Sequence, residues 1–304
     1  MAGISIGDSI GEGFRLIRRR PALVLVWGAA QVVWSVAATE IMRPTYTGLQ
    51  HSMAALQPGA AVQPEQAMAG LGPLLGFEGQ MMLLGLASGL VALIFSCAVY
   101  RAVLRPQASA FAYLRLGSAE FLLGAFWVGA LVVLFLGLIV AMIPIVVVAA
   151  IASVAHAPLL TGLLVVVGYV GAIVVLVWVI LRLSFVGPMM VEDGKFHLTD
   201  AWRLTRGQAG ALFLVGLCMF VILLAVAAVH FAISIATGTM QLQTLIQNLQ
   251  PGHAAQIPPL FTPAALIGHL ISIPFSGCSL AIVAAPWAKA YQGLAQPDVA
   301  ATFA

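Results

Sequence analysis

Residues 211–236 read ALFLVGLCMFVILLAVAAVHFAISIA, a run of 26 positions without a single Asp, Glu, Lys or Arg. About 20 helical residues, at 1.5 Å each, cross the roughly 30 Å hydrocarbon core of a bilayer. A helix apolar on every side has no face to offer water. This run is therefore read as a membrane span. Working outward, five more segments of the same kind stand out, at about 22–42, 81–104, 121–154, 162–183 and 265–288. The fold class expected is all-α: one polytopic bundle of about six spans occupying residues 1–304 as a single membrane domain.

Composition agrees. The chain is 62% hydrophobic and 8% charged, where a soluble domain carries roughly a quarter charged residues. A net charge of +3 invites a nucleic-acid reading in a soluble protein. Here the basic residues lie beside apolar spans, so they report topology, and no nucleic-acid partner is expected. The apolar run near the N-terminus is longer than a signal-peptide core and is read as a retained anchor. Cys97, Cys218 and Cys278 each sit in an apolar run with no paired spacing, so they read as small core residues.

The third run is too long for one straight span and contains Pro144. A kink, or a break into two short spans, is expected there. Charge favours six spans over seven. Of the 13 Lys and Arg, 12 fall before the first span, between the second and third, between the fourth and fifth, or after the sixth; Arg43 alone falls in the other loops. This positive-inside bias places both termini in the cytoplasm. The opposite loops, about 44–79, 155–161 and 238–264, are polar but nearly uncharged. Leu242, Leu245, Ile246 and Leu249 suggest a short surface helix within the last.

Three short basic segments precede outward-going spans: Phe14-Arg15-Leu16-Ile17-Arg18, Tyr113-Leu114-Arg115-Leu116 and Trp202-Arg203-Leu204-Thr205-Arg206. In the first, Ile6, Ile10, Phe14 and Ile17 share a helical face; in the third, Leu198, Ala201, Trp202 and Thr205 do. Thr199 or Asp200 is placed to cap the third helix and Gly207 to end it. The pattern predicts three repeats, each an interfacial helix followed by a two-span hairpin.

The same stretch carries a resemblance. Arg182-Leu183-Ser184-Phe185, Pro188, Gly194 and Asp200-Ala201-Trp202-Arg203-Leu204-Thr205-Arg206-Gly207 resemble a signature of the bacterial glycerophosphoryl diester phosphodiesterase membrane-domain family. Tyr100 to Pro106, Tyr113 to Gly117 and Glu120 resemble a proteobacterial branch of it. The resemblance implies a multi-pass protein of the bacterial inner membrane. It implies no phosphodiesterase activity, because the chain has no soluble catalytic domain and no His-Arg-Gly with partner carboxylates.

No Gly-Lys-Ser/Thr phosphate loop, HExxH or GxSxG occurs. No cofactor or metal is expected, and the chain reads as non-enzymatic. The deeper polar residues are Gln31, His230 and His269; interhelical hydrogen bonding is their ordinary role. Few buried charges argue against proton coupling. Gly85-x-x-x-Gly89 allows close helix approach, within the chain or in a homo-oligomer. Pro144 and Pro274 mark where a solute cavity would lie. The strongest candidate site is the basic face: Arg101, Arg105, Arg115, Arg182, Arg203 and Arg206, with Trp202 at headgroup depth and Asp200 able to pair with one of the arginines. The expected partners are anionic lipid headgroups on the cytosolic side. The function expected is lipid binding, lipid organisation or scaffolding of a partner. Passive or facilitated transport of a lipid-like or small solute is the alternative.

Overall fold

The structure, a computed structural model, describes residues 4–55, 64–107, 110–115, 117–154, 158–239 and 260–295. Among these residues the fold is entirely helical. In chain order the helices are α1 (Ile6–Arg19), α2 (Pro21–Ala55), α3 (Pro64–Leu104), α4 (Ser118–Val154), α5 (Pro158–Leu183), α6 (Val186–Asp193), α7 (Leu198–Leu204), α8 (Ala209–Ala236) and α9 (Pro263–Ala295). Six are long and apolar enough to cross a membrane, which makes this an all-α polytopic bundle. The shortest such stretch, Pro21–Thr45, has 25 residues, about 37 Å of helix.

The third apolar run is one helix, α4, with Pro144 inside it, in line with six spans and not seven. The missing N–H of a proline is tolerated where neighbouring helices and local adjustment compensate. Other expectations change. Much of the expected loop 44–79 is helix: α2 continues to Ala55 and α3 starts at Pro64. The hydrophobic criterion stops at the membrane boundary, whereas backbone hydrogen bonding continues beyond it. Residues 242–249, with their expected surface helix, lie outside the described residues, as do His156 and His253.

Of the three segments in the expected repeat, only the first and third form helices. The second segment is a short turn, Ala110–Tyr113, with Phe111, Ala112 and Tyr113 in the left-handed region (φ 52°, 55° and 62°). In α1, the buried residues are Ser9, Gly13 and Leu16, while Phe14 is 48% exposed. The packed face is thus rotated from the Ile6–Ile10–Phe14–Ile17 stripe. Small residues allow a helix to approach backbone, and the large apolar ones are left on the outer side.

The described residues form two compact units. One comprises 4–12, 97–217 and 285–295; the other comprises 13–96 and 218–284. In the second, α2 and α9 meet at backbone contact. A Cβ added to Gly28 would lie 2.0 Å from the Ile273 carbonyl oxygen, and one added to Gly277 would lie 2.1 Å from that of Val24. Trp34 Nε1 donates to Ser88 Oγ at 3.2 Å, linking α2 to α3. Among the described residues, Gly85 and Gly89 have nothing within 4 Å of an added Cβ, so none of these residues makes the expected close approach there. In the first unit, α4 and α5 form a hairpin in which Gly168 accommodates Ile145. Their outward side chains, such as Val133 and Phe135, are exposed, as a lipid-facing surface requires.

Candidate functional site

The site lies entirely within the first unit, around the ends of α3 and α5, the short helices α6 and α7, and the C-terminal part of α9. At the end of α3, Arg101 forms an ion pair with Glu120 of α4. The Glu120 side chain is 3% exposed and that of Arg101 14%. Glu120 Oε2 also accepts the Gly117 N–H at 2.9 Å, one half of a capping box. Arg101 Nη1 donates to the Tyr113 carbonyl at 3.2 Å, and the Tyr113 hydroxyl donates to the Pro106 carbonyl at 2.7 Å. Left-handed backbone costs an L-residue about 1–2 kcal/mol. These bonds and the burial of Tyr113 hold the turn in that conformation.

The chain leaves α5 through Ser184, whose hydroxyl donates to the Leu181 carbonyl at 2.8 Å. Helix α6 then buries Val186, Pro188, Met190 and Val191. It ends at Gly194 (φ 72°), whose N–H donates to the Met190 carbonyl. Gly187 leaves room for the Tyr100 ring, which an added Cβ would meet at 2.8 Å. In α7, Ala201 is buried, and the buried Thr205 donates to the Ala201 carbonyl at 2.9 Å. The Thr205 hydroxyl also lies 3.3 Å from the Arg182 carbonyl, which fixes α7 against the end of α5. Gly207 (φ 81°) follows in the turn that ends α7, as expected. The capping expectation changes: the N-cap is His197, without a side-chain cap bond.

This packing builds an aromatic clamp. Trp178 and Trp202 meet edge to face, with centroids 5.1 Å apart. The Arg182 guanidinium lies 5.4 Å from the Trp178 ring and 5.5 Å from that of Trp202. Two of its nitrogens, Nε and Nη1, are buried without a hydrogen-bond acceptor among the described residues. The indole faces offset part of the charge, but they do not replace the missing acceptors.

Asp200 pairs with His197, not with an arginine. Its Oδ2 lies 3.0 Å from His197 Nδ1, while His197 Nε2 lies 2.5 Å from Asp193 Oδ2. These bonds, Asp200 first, hold the His197 pKa above its usual 6.5. Beside them is an open groove of about 390 Å³ lined by Met189, Asp200, Arg203, Leu204, Tyr291 and Ala295. The Tyr291 hydroxyl donates to the Glu192 carboxylate, and Arg105 donates to the Glu192 carbonyl.

The structure therefore gathers Arg182, Asp200, Trp202 and Arg203 around α7. Arg101 and Arg105 are engaged in protein contacts, while Arg115 and Arg206 are exposed. The sequence reading missed Glu120 as the partner of Arg101, and it missed His197, Tyr291 and Glu192. His197 lies between two carboxylates at helical spacing, a signal the sequence did contain. The Tyr291–Glu192 contact joins residues 99 positions apart and had none.

In the second unit, His230 of α8 meets Ser272 of α9 at 3.1 Å and stacks on Phe275, the interhelical role expected of it. Gln31 Oε1 and His269 Nε2 are buried without partners among the described residues. No His, Cys, Asp and Glu cluster able to hold a metal occurs among the described residues.

Comparison with protein-family models, with curated proteins and with solved structures yields no match.

Proposed function

We propose that this protein is a non-enzymatic lipid-binding protein of the bacterial inner membrane, with both termini in the cytoplasm and a headgroup site at its arginine-rich end. The likeness to the phosphodiesterase-associated membrane family is part of this proposal and supplies the bacterial setting. The observation that carries the reading is the clamp of Arg182 between Trp178 and Trp202, with two guanidinium nitrogens lacking acceptors among the described residues. Those two nitrogens are enclosed by protein, so a headgroup phosphate would meet the guanidinium at Nη2, where its charge would offset the cost of a cation with few acceptors. Trp and Arg together are the residue types suited to the membrane interface.

The groove beside Pro144 supports the same reading over solute transport. It is lined by Ile139, Met142, Ile143, Val146 and Val147, all from α4, in about 380 Å³. Such a surface suits an acyl chain and offers a polar solute no hydrogen bonds. Native mass spectrometry of protein released from lipid nanodiscs tests the proposal. The wild type is expected to retain anionic or zwitterionic phospholipid, and Arg182→Met to retain about tenfold less, since a hydrogen bond to a charged group contributes about 1.5–3 kcal/mol. Equal retention by both, with both folded by circular dichroism, would refute it.

A further inference from the structure

The groove on α7 presents charges of both signs, and we propose that it selects a phosphate ester bearing a primary ammonium: the phosphoethanolamine headgroup of a phospholipid. This rests on the lipid-binding reading and adds a second headgroup position to it, in a groove that Arg182 does not line, and assigns that position one headgroup class. Asp200 and Arg203 line the same groove. They stand three residues apart on one helix, where side chains are neighbours, yet they do not pair with each other. Asp200 Oδ2 is taken by His197, and Oδ1 has no hydrogen-bond partner among the described residues. Arg203 is exposed and has no carboxylate within ion-pair distance among them. The groove thus holds an open guanidinium fork and an open carboxylate oxygen one helical turn apart.

Each candidate headgroup meets this arrangement differently. Phosphoethanolamine carries its phosphate and its ammonium two methylenes apart, one for Arg203 and one for Asp200. The Glu192 carboxylate, which accepts from the groove-lining Tyr291, adds to the negative side. Phosphoglycerol satisfies Arg203 but leaves Asp200 unmatched and brings its own negative charge near two carboxylates, a repulsive element that creates selectivity. Phosphocholine has the right charges but no N–H to donate to Asp200. Quaternary ammonium groups are held by cages of aromatic faces, whereas among the described residues Tyr291 is the one aromatic lining this groove. Met189, Leu204 and Ala295 supply the apolar wall for the glycerol and the first acyl methylenes.

The test uses the full chain in nanodiscs containing equal amounts of phosphatidylethanolamine, phosphatidylglycerol and phosphatidylcholine with identical acyl chains. Retained lipid is counted by native mass spectrometry. The wild type is expected to retain phosphatidylethanolamine about tenfold over phosphatidylcholine, and also above phosphatidylglycerol. Asp200→Asn should bring the ethanolamine-to-choline ratio towards one without lowering phosphatidylglycerol retention. Arg203→Gln should lower both phosphatidylethanolamine and phosphatidylglycerol. A wild type that favours phosphatidylglycerol overturns this inference and leaves the broader lipid reading standing. Retention of no lipid above the bulk composition overturns both. The wild-type ratio needs no variant to fold, so it decides the matter alone. Displacement of retained lipid by free O-phosphoethanolamine, with no lipid rebinding, would overturn the lipid as the source while supporting the headgroup chemistry.

Discussion

Arg101 and Glu120 show how much two residues matter in a chain with so few charges. Their pair is nearly enclosed, so removing one member leaves the other uncompensated, at about 3–5 kcal/mol. Arg101→Met is expected to lower thermal stability in detergent more than the double variant Arg101→Met/Glu120→Gln, which removes both charges. A single variant as stable as the double one would show that the pair is solvated. His197 is the titrating counterpart outside the spans. Hydrogen bonds to Asp200 and then Asp193 raise its pKa above 6.5, so the charged form is favoured in the fold. Its contribution is fully present below the unfolded value of about 6.5 and fades as pH rises through the raised folded value. Amide exchange in residues 194–200, corrected for intrinsic rate, should accelerate as pH crosses that raised value, and His197→Gln should abolish the transition. A wild-type profile without a transition would place the imidazole in water.

At the scale of elements, the apolar helices were visible in the sequence because their composition leaves them one solvent. Their interfaces were not. Gly85 and Gly89 carry the spacing associated with close packing and make no such contact among the described residues, whereas Gly28 and Gly277, which share no spacing motif, sit against backbone of the opposite helix. Spacing states that a helix is able to approach; only the partner's backbone decides where it does. An added methyl group at Gly28 meets a carbonyl oxygen that cannot rotate away, so α2 and α9 would have to separate. Gly28→Ala and Gly277→Ala are each expected to cost at least the 1–3 kcal/mol typical of overpacking, while Gly85→Ala should be neutral. Thermal unfolding of the three variants checks the order, and a neutral Gly28→Ala would deny the contact. The second basic segment failed as a helix for a related reason. Its aromatic-Arg-Leu pattern suits an interfacial helix, but burial of Tyr113 and its bond to Pro106 favour a left-handed turn.

For the whole molecule, the proposed orientation rests on where the cations fall. With 12 of 13 Lys and Arg on one set of loops, single cysteines introduced at exposed positions 107 and 195, in a background lacking the native three, should be shielded from a membrane-impermeant thiol reagent in intact cells. One introduced at exposed position 261 should react. Labelling at 107 or 195 would invert or break the proposed topology. That the chain is a six-span helical membrane protein was written in its linear order, because hydrocarbon tolerates only segments that satisfy their own backbone and carry apolar side chains, and both properties are local. The joining of Arg182 to two tryptophans, of Arg101 to Glu120 and of Tyr291 to Glu192 was decided only in three dimensions. A cation beside a span reads the same in sequence whether it marks orientation, neutralises a buried acid or waits for a ligand. The difference lies in which acceptors the folded neighbours bring within reach.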